Sequence, residues 1–277
     1  MDIKVDTVWY NDFKEKELPK KVDDGKVFVI TGTTSGTGFI AARTAGELGG
    51  TVVLLNRPSE RSQKSLADLN SQVANGKFVA IDCDLQDFAS VRKAAEELKS
   101  KYAETGVYAV CWNAGIMGTP DRATVDGYDE QMQTNHLSHF LLTAELFPLL
   151  ETAAAKYGDA RIVNHSSGGR HMTPNKALER KYFEKNGGNL GGNEGSLGPN
   201  GNSGPPFHRY FQSKLANAVF TKGLHNRLQA KNKGSIKAIC ADPGISATSL
   251  ANHLEGADFS KIGKLLCSSM IVGRKNL

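Results

Sequence analysis

Short apolar runs alternate with longer amphipathic stretches along most of this chain. Runs of this length that are bounded by polar or glycine residues and rich in Val and Ile predict buried β-strands. Six such runs lie at residues 26–31, 51–55, 77–81, 107–112, 161–165 and 235–241. Apolar residues recur at helical spacing in 39–48, 87–102, 127–150 and 209–229, so helices separate most of the strands.

The order of these elements predicts the fold class. Strands separated by helices, without the tight turns of β-hairpins, are typical of a parallel sheet covered by helices on both faces. We therefore predict an α/β protein, a single-domain Rossmann-type doubly wound parallel sheet of six strands. A chain of 277 residues can hold one such domain, which we place at 26–277 after an N-terminal extension at 1–25.

One internal stretch departs from this regular pattern. Residues 186–206 consist largely of Gly, Asn, Ser and Pro, and this composition buries too little apolar surface to fix a conformation. We predict a flexible insert. It lies between a serine pair and a tyrosine with candidate chemistry, so we expect it near the functional site, either as a substrate lid or as a passive surface loop.

Composition narrows the functional classes. The net charge of +5 is modest and includes no dense block of Lys or Arg, which argues against nucleic-acid binding. The four cysteines have no CxxC spacing and are interpreted as free thiols in a reducing compartment. Residues 1–26 lack the apolar core of a secretory signal, and no apolar run is long enough to span a membrane. We predict a soluble cytoplasmic protein, with an organelle as the alternative location.

A glycine-rich segment follows the first predicted strand and precedes the first predicted helix. In this context Gly32 permits a tight turn, Gly36 lets the backbone approach a pyrophosphate, and Gly38 lets the helix pack on the strand. The helix N-terminus then favours the negative charge of a phosphate. The segment therefore predicts a dinucleotide cradle. Its remaining contacts are assigned to Thr34, Ser35 and Thr37.

The end of the second predicted strand indicates which dinucleotide binds. An NAD site has an acidic residue here, which accepts hydrogen bonds from the adenosine ribose. This chain has Asn56 and Arg57 instead, and a guanidinium suits the 2′-phosphate of NADP(H). We predict NADP(H); the alternative is that Arg57 is a solvated loop charge. Asp84, with its neighbour Leu85, either contacts the adenine or caps the helix at 87–102.

A tyrosine and a lysine four residues apart begin the last long helical stretch. Hydride transfer between a nicotinamide and a carbonyl requires a proton donor at the carbonyl oxygen. We assign this role to Tyr210, and Lys214, on the same helix face, should lower its pKa by favouring the phenolate. Ser166 and Ser167 follow the fifth strand and are the candidates for stabilising charge on the substrate oxygen.

These motifs, taken in order, resemble the short-chain dehydrogenase/reductase family over about residues 26–248. The matching positions are the TGxxxGxG segment, Asn113-Ala114-Gly115, Asn135, Ser167, Tyr210, Lys214, Pro243-Gly244 and Thr248. Segments 135–143 and 213–217 are similar to the retinol-dehydrogenase-like branch, which is related to light-dependent protochlorophyllide reductase. That reductase typically has a cysteine directly after the Pro-Gly, and Ile245 at this position counts against it.

The resemblance implies roles for several of these residues. It implies that Ser167 rather than Ser166 contacts the substrate. It also implies that Lys214 holds the nicotinamide ribose and that Asn135 binds a water linking this lysine to solvent. The further cofactor contacts that it implies are Asn113, Ala114, Gly115, Tyr210, Pro243, Gly244 and Thr248.

The end of the chain departs from the family pattern. After residue 248 the family has substrate-covering helices, a further helix and a seventh strand, whereas only 249–277 remain here. We interpret 245–277 as the substrate-covering segment of a shortened C-terminal end. Substrate closure and a homodimer of the family type therefore stay open.

The sequence thus predicts an NADP(H)-dependent oxidoreductase that transfers hydride between nicotinamide and a small apolar carbonyl or alcohol substrate. The alternative is a catalytically idle NADP(H)-binding sensor or scaffold, against which the complete Asn/Ser/Tyr/Lys set argues. We predict no metal, because His136 and His139 have no third ligand at a suitable spacing. His165, at a strand end, either touches the substrate or has no functional role.

Overall fold

A six-stranded parallel sheet forms the centre of the domain. The computed structural model describes residues 25–191 and 204–244, with five further positions between 11 and 18. The strands lie in the order β3-β2-β1-β4-β5-β6, and every neighbouring pair is parallel. They are β1 (Val27–Thr31), β2 (Thr51–Asn56), β3 (Lys77–Asp82), β4 (Ala109–Trp112), β5 (Ala160–His165) and β6 (Ile236–Ala241). The predicted fold class and the six parallel strands are confirmed.

Five long helices pack on this sheet in the described part of the chain. They are α1 (Gly36–Glu47), α2 (Glu60–Gln72), α3 (Phe88–Tyr102), α4 (Ser138–Tyr157) and α5 (Pro205–Ala230). A one-turn helix at Glu130–Met132 and a π-helical turn at Gln133–Leu137 lead directly into α4. Short 3₁₀ turns lie at Gly168–Met172, Pro174–Lys176 and Arg180–Phe183.

Helix α2 is the one long helix that the apolar pattern does not predict. Only Ser65 and Leu69 are buried along it, so its apolar periodicity is weak. Its start is fixed locally, because the Ser59 side chain accepts a hydrogen bond from the Ser62 N–H and the Ser62 side chain accepts one from the Ser59 N–H. This is a capping box in which serine replaces the usual Glu or Gln, so the common sequence signal is missing.

Helix α4 runs further than predicted. The expected end at residue 150 follows from Pro148, but the helix continues to Tyr157 and ends at Gly158, whose φ is 85°. Leu149 and Leu150, which follow the proline, are both buried. Their packing outweighs the backbone hydrogen bond that a proline removes.

Apolar side chains form a separate layer on each face of the sheet. On one face α1 and α2 pack through a cluster that includes Phe39 and Leu69. On the other face α3 and α4 pack through a larger cluster that includes Leu98 and Leu146. The sheet is therefore doubly wound. Because β1 lies between β2 and β4, the winding reverses there, and the carboxyl ends of β1 and β4 border the crevice in which such folds bind ligands.

Both ends of the predicted insert at 186–206 are packed against the domain. The Gly191 N–H donates to the Asp121 carboxylate at 2.6 Å, and the Gly191 carbonyl accepts from Arg209 at 3.1 Å. At the other end, Pro205 is the first residue of α5. The two ends therefore meet the domain close to the start of α5.

Some predictions concern residues outside the described ranges. Residues 192–203 and 245–277 and most of the first 24 lie there, as does Thr248. The N-terminal extension, the flexibility of the insert and the covering role of 245–277 therefore stay predictions. In the described part of the chain, none of the helices has both the length and the apolar character needed to cross a membrane.

Candidate active site

The glycine-rich turn after β1 has the backbone that such a cradle requires. Gly32 and Gly36 have φ values of 70° and 59°, in the left-handed region where a side chain is strained. Gly38 is needed for a different reason, since a Cβ atom there would lie 2.3 Å from the Gly32 carbonyl oxygen. The turn therefore holds α1 close against β1, with the N-terminus of α1 at the carboxyl edge of the sheet.

The first turn of α1 is suited to an anion. It contains no acidic residue, and among the described residues the Ser35 side chain at the N-cap makes no capping hydrogen bond. The first backbone N–H groups of α1 are therefore available to phosphate oxygens. Thr34 and Ser35 are half-buried on the turn, and Arg61 donates a hydrogen bond to Ser35 Oγ at 3.4 Å.

Asn113 fixes this turn to the neighbouring strand. Its Nδ2 donates to the carbonyl oxygens of Thr31 at 3.0 Å and Gly32 at 3.1 Å. Its Oδ1 accepts from Thr37 Oγ1 at 2.8 Å and from His165 Nδ1 at 3.0 Å. Because all four hydrogen-bonding positions of its amide are occupied by protein groups, Asn113 holds the glycine-rich turn in place.

Small residues after Asn113 let three segments approach each other. A Cβ atom on Gly32 would lie 2.8 Å from Ala114 Cα, and one on Gly115 would lie 3.2 Å from Asn135 Oδ1. Ala114 and Gly115 therefore line the crevice between the glycine-rich turn and the π-helical turn.

Asn56 stands where an NAD site has an acidic residue, and it is bonded to the glycine-rich turn. Its Oδ1 accepts from the Thr33 N–H at 2.9 Å, and its Nδ2 donates to Thr33 Oγ1 at 2.8 Å. Ser65 Oγ donates to the Thr33 carbonyl at 2.8 Å. Asn56 thus positions the turn, a role that its place in the sequence does not reveal. Arg57, the next residue, is exposed at the carboxyl end of β2.

The two residues that follow Cys83 after β3 are engaged within the domain. Asp84 Oδ1 accepts a hydrogen bond from the backbone N–H two residues on at 2.9 Å, and the Leu85 carbonyl accepts from Ser138 Oγ at 2.6 Å. The N-cap of α3 is Asp87, which accepts from the backbone N–H two residues on at 2.8 Å. Asp84 is therefore not the helix cap, and its contact with the adenine stays a prediction.

Ser167, Tyr210 and Lys214 come together beyond the end of β5. The Ser167 hydroxyl is near enough to Tyr210 to act on its phenol, and Lys214 Nζ lies 5.6 Å from the centre of the Tyr210 ring. Lys214 Nζ donates to the His165 carbonyl at 3.1 Å. Ser166 Oγ instead donates to the Lys214 carbonyl at 2.8 Å. Of the two serines, Ser167 faces Tyr210, whereas Ser166 ties α5 to β5.

Burial dominates the ionisation of Tyr210 and Lys214. It raises the pKa of Tyr210 to about 12, against the opposing effect of the Ser167 side chain. It lowers the pKa of Lys214 to about 8, although Asp242 and Cys240 act in the opposite direction. The pKa of Tyr210 thus moves opposite to the direction predicted from the Tyr/Lys spacing, because desolvation of the phenolate is the larger effect.

Asn135 lies fully buried in the π-helical turn. Its Oδ1 accepts from the Ile116 N–H at 2.8 Å, and its Nδ2 donates to the Ile116 carbonyl and to Ser213 Oγ, both at 2.9 Å. Its backbone carbonyl accepts from His139 Nδ1 at 3.1 Å and from Asn217 Nδ2 at 3.0 Å. Single π-helical turns inside α-helices are frequent at functional sites. This one joins the loop after β4 to α5 through one residue.

Two buried histidines next to Asn135 have structural partners. His139 Nε2 lies 3.0 Å from Thr31 Oγ1, and its ring stacks on Trp112 with centroids 5.5 Å apart. His136 Nδ1 lies 2.9 Å from the Asn217 side-chain oxygen. Burial lowers the pKa of both rings, that of His139 to about 3. Within the described ranges, no group of three or more His, Cys, Asp or Glu residues could hold a metal ion.

The residues after β6 are fixed beside Ser167. Asp242 accepts from Arg170 Nη1 at 2.5 Å and from the Gly244 N–H at 3.0 Å. Arg170 also donates to the Ser167 carbonyl at 3.0 Å. Pro243 and Gly244 therefore lie at the same edge of the sheet as the Ser/Tyr/Lys group, and their contact with the cofactor stays a prediction.

A buried ion pair adjoins Tyr210. Arg209 Nε lies 3.3 Å from Asp129 Oδ2, and the two side chains are 1% and 0% exposed. The guanidinium also donates to the carbonyl oxygens of Gly191 at 3.1 Å and Thr119 at 3.0 Å. Burial raises the pKa of Asp129 to about 6, although Arg209 opposes this shift. The pair ties the end of the insert and the loop after β4 to the helix that carries Tyr210.

A doubly wound sheet with a glycine-rich turn at β1 and a Ser/Tyr/Lys group at the same edge is typical of dinucleotide-binding oxidoreductases. Residues 26–177 match the family model described as short chain dehydrogenase. The chain belongs to the short-chain dehydrogenase/reductase family, whose members are nicotinamide-dependent oxidoreductases of carbonyl and alcohol compounds. The resemblance predicted from the motifs is confirmed.

Curated relatives cover most of this chain. An uncharacterized oxidoreductase from Schizosaccharomyces pombe is 34% identical over 231 residues, which are 83% of this chain and 62% of that protein. Retinol dehydrogenase 12 from Bos taurus is 31% identical over 232 residues, which are 83% of this chain and 64% of that protein. The chain thus spans less than two thirds of the length of these relatives.

Solved structures share the fold. An uncharacterized protein from Mycobacterium Paratuberculosis superposes with a TM-score of 0.64 at 31% identity, covering 89% of this chain and 77% of that one. A short chain dehydrogenase from Shigella flexneri, solved as a complex with NADP, superposes with a TM-score of 0.61 at 20% identity. That superposition covers 91% of this chain and 93% of the Shigella protein.

Proposed function

We propose that this chain is an NADP(H)-dependent oxidoreductase that transfers hydride between nicotinamide and a carbonyl or alcohol substrate, with Tyr210 as acid/base. The observation that carries this proposal is the convergence of Ser167, Tyr210 and Lys214 at the edge of the sheet that also bears the glycine-rich turn. One crevice thus contains a phosphate-binding backbone and a proton-transfer group, the two parts that the reaction needs.

The residues of the turn fit a dinucleotide. The positive φ values of Gly32 and Gly36 open the backbone to a pyrophosphate, and the uncapped start of α1 offers N–H donors to it. When bound, the nicotinamide supplies or accepts the hydride. This turn, the loop after β4 and Lys214 are the parts of the chain that would bind the dinucleotide.

Support for NADP(H) over NAD(H) comes from the end of β2. The last residue of β2 is Asn56 rather than an acidic residue, and its amide is occupied by Thr33. Arg57 is exposed at this edge and Arg61 reaches the glycine-rich turn, so either guanidinium can pair with a 2′-phosphate.

In the proposed mechanism Tyr210 donates its proton to the substrate oxygen as negative charge develops there. Its pKa of about 12 keeps it protonated before the reaction. Ser167, which acts on the phenol of Tyr210, holds the substrate oxygen through its hydroxyl. Lys214 stabilises the phenolate that remains, and its pKa of about 8 lets it exchange a proton near neutral pH.

The surroundings of Tyr210 support an apolar substrate. Phe207 and Phe211 are buried with Tyr210 in one cluster, and Met117 and Met172 pack against it. Aromatic and methionine side chains offer apolar contact area, and methionine adapts to irregular shapes. The carbonyl group is then the polar part of a ligand that is otherwise apolar.

Turnover of a carbonyl panel tests the proposal. The protein is mixed with NADPH and with aldehydes and ketones of increasing apolar size, and loss of the nicotinamide absorbance is followed. We expect NADPH consumption, faster for apolar carbonyls than for hydrophilic carbonyls of equal intrinsic reactivity. Binding of NADPH without turnover of any carbonyl or alcohol would instead favour an idle sensor or scaffold.

A further inference from the structure

A second asparagine, Asn217, is buried at the centre of the candidate site. It follows Lys214 by three residues, and only 1% of it is exposed. Its Nδ2 donates to the backbone carbonyls of Asn135 and His165, both at 3.0 Å. Its Oδ1 faces His136 Nδ1 at 2.9 Å, which makes that nitrogen the donor. Both N–H groups and the oxygen of this amide have partners, so its orientation is fixed.

The two carbonyls that Asn217 binds also bind other groups of the site. The His165 carbonyl accepts from Lys214 Nζ at 3.1 Å, and the Asn135 carbonyl accepts from His139 Nδ1 at 3.1 Å. A carbonyl oxygen has two lone pairs, so each of these oxygens is saturated by protein donors. Removing the amide would leave each of these two buried oxygens with a single donor, one at the strand end and one on the π-helical turn.

This arrangement changes the role that the resemblance implies for Asn135. Its carbonyl oxygen and its side chain are engaged by protein groups, so a water between this residue and Lys214 would have to displace one of them. Asn217 instead links the same two points directly, because its amide bridges the Asn135 carbonyl and the carbonyl that accepts from Lys214.

We propose that Asn217 is a positioning residue, which holds the carbonyl acceptor of Lys214 against the π-helical turn and so sets the ammonium group relative to Tyr210. The inference rests on the proposed function, since it concerns the proton-transfer group of that reaction. Asn217 contacts neither substrate nor cofactor in this role. It acts through the backbone of His165 and Asn135.

The charged and titratable surroundings of Lys214 determine how a change at Asn217 would be measured. The groups that face Lys214 are Tyr210, the rings of His139 and His165, and the side chains of Asp242 and Cys240. Burial lowers the pKa of both rings, to about 3 and about 4, so they are neutral near pH 7. A charge introduced at residue 217 would act on the ammonium group and on the adjoining His136 ring.

Asn217→Ala tests the inference, with Asn164→Ala as its matched control. Asn164 is also 1% exposed and donates to Thr221 Oγ1 at 3.0 Å, so it joins β5 to α5 without bonding the carbonyls of Asn135 or His165. Both variants remove a buried amide and should lower Tm. Only Asn217→Ala should lower kcat for carbonyl reduction, on the order of 10- to 100-fold, with KM little changed. The alkaline fall of its kcat profile should also shift to higher pH. Water that enters the cavity relieves the desolvation of Lys214 and so raises the pKa of this lysine.

Asn217→Asp keeps the shape of the side chain and carries the test if the alanine variant does not fold. It loses both donors and adds a negative charge, so kcat should fall and the high-pH limb should again move to higher pH. His136→Phe removes only the partner of Asn217 Oδ1, and we expect a smaller loss of kcat.

The outcomes separate this inference from the proposed function. A wild-type protein that binds NADPH and reduces no carbonyl would overturn both. An active wild type whose Asn217 variants match Asn164→Ala in kcat, with an unmoved pH profile, would overturn the inference alone. A selective loss of kcat with a shifted profile would support it.

Discussion

Burial moves the pKa values of Tyr210 and Lys214 in opposite directions and inverts their usual order. Their ordinary values are 10.0 and 10.5, whereas in this site they are about 12 and about 8. The lysine therefore loses its proton before the tyrosine does. Because the neutral phenol is the favoured form over a wide pH range, Tyr210 carries the proton that carbonyl reduction consumes.

Tyr210→Phe should abolish turnover while NADPH binding stays nearly intact. The ring keeps its place in the aromatic cluster and only the proton donor is lost, so we expect kcat to fall by roughly 10²- to 10⁴-fold. Tyr182→Phe, at another buried tyrosine, is the control and should retain activity. NADPH affinity is measured by fluorescence titration. Retention of most of the rate in Tyr210→Phe would exclude this residue as the acid/base.

Arg57→Asp should weaken NADPH binding far more than NADH binding. Loss of a charge-assisted phosphate contact corresponds to about 1.5–3 kcal/mol. Lys64→Met is the control, since Lys64 is exposed on the adjoining helix and pairs with Asp68 at 3.3 Å. Calorimetric titration with 2′,5′-ADP and with 5′-AMP isolates the phosphate contribution. Equal losses for the two nucleotides would show that Arg57 does not contact the phosphate.

At the scale of elements, the strands and most of the helices could be predicted because apolar runs and helical spacing record burial directly. The π-helical turn at Gln133–Leu137 could not, since the helical spacing over 127–150 predicts one continuous helix there. Helix α2 could not either, because few of its side chains are buried. The glycine-rich turn and the Tyr/Lys spacing are local features, so the sequence shows them.

The ion pair of Asp129 and Arg209 illustrates what sequence patterns conceal. The partners are 80 residues apart, and a charged residue in an amphipathic helix is expected to face solvent. Arg209 is instead buried because Asp129 and the carbonyls of Gly191 and Thr119 surround its guanidinium. Contacts of this kind depend on the folded arrangement of three distant segments.

Arg209→Met should destabilise the domain strongly. Removing one partner leaves a buried carboxylate and two buried carbonyls, for which we expect a loss of about 3–5 kcal/mol in the free energy of unfolding. Arg180→Met removes an ion pair whose partners are 91% and 52% exposed, and should cost less than about 1 kcal/mol. Urea unfolding measures both. The double variant Asp129→Leu/Arg209→Met should recover part of the loss, and equal losses for Arg209→Met and Arg180→Met would contradict this account.

At the scale of the whole molecule, buried histidines make stability depend on pH. Burial lowers the pKa of His139 to about 3 and that of His165 to about 4, and it also lowers that of His136. The unfolded chain therefore binds more protons than the folded protein below the ordinary value of 6.5. The stability that these neutral rings contribute is complete above that pH and is lost as the pH falls towards their folded pKa values.

The free energy of unfolding should accordingly fall between pH 7 and pH 5. His139 and His165 each contribute a slope of about 1.4 kcal/mol per pH unit once the unfolded form is protonated. Asp129, whose pKa is raised to about 6, acts in the opposite direction, but these two rings outweigh one carboxyl. Urea unfolding across this range measures the slope, and His139→Gln should make it shallower. A stability that is constant from pH 7 to 5 would contradict the neutral burial of these rings.

The π-helical turn before α4 has a consequence for how this chain can change in length. An α-helix advances about 100° per residue, so deleting one residue from Gln133–Leu137 would merge it with α4 into a regular helix. The segment before the deletion would rotate by that angle, and the Asn135 carbonyl would leave His139 and Asn217. Such a deletion would leave a regular helix but would break the hydrogen bonds that hold Asn135 in the candidate active site. Sequence variants that lack one residue here are therefore expected to persist only where activity is no longer selected.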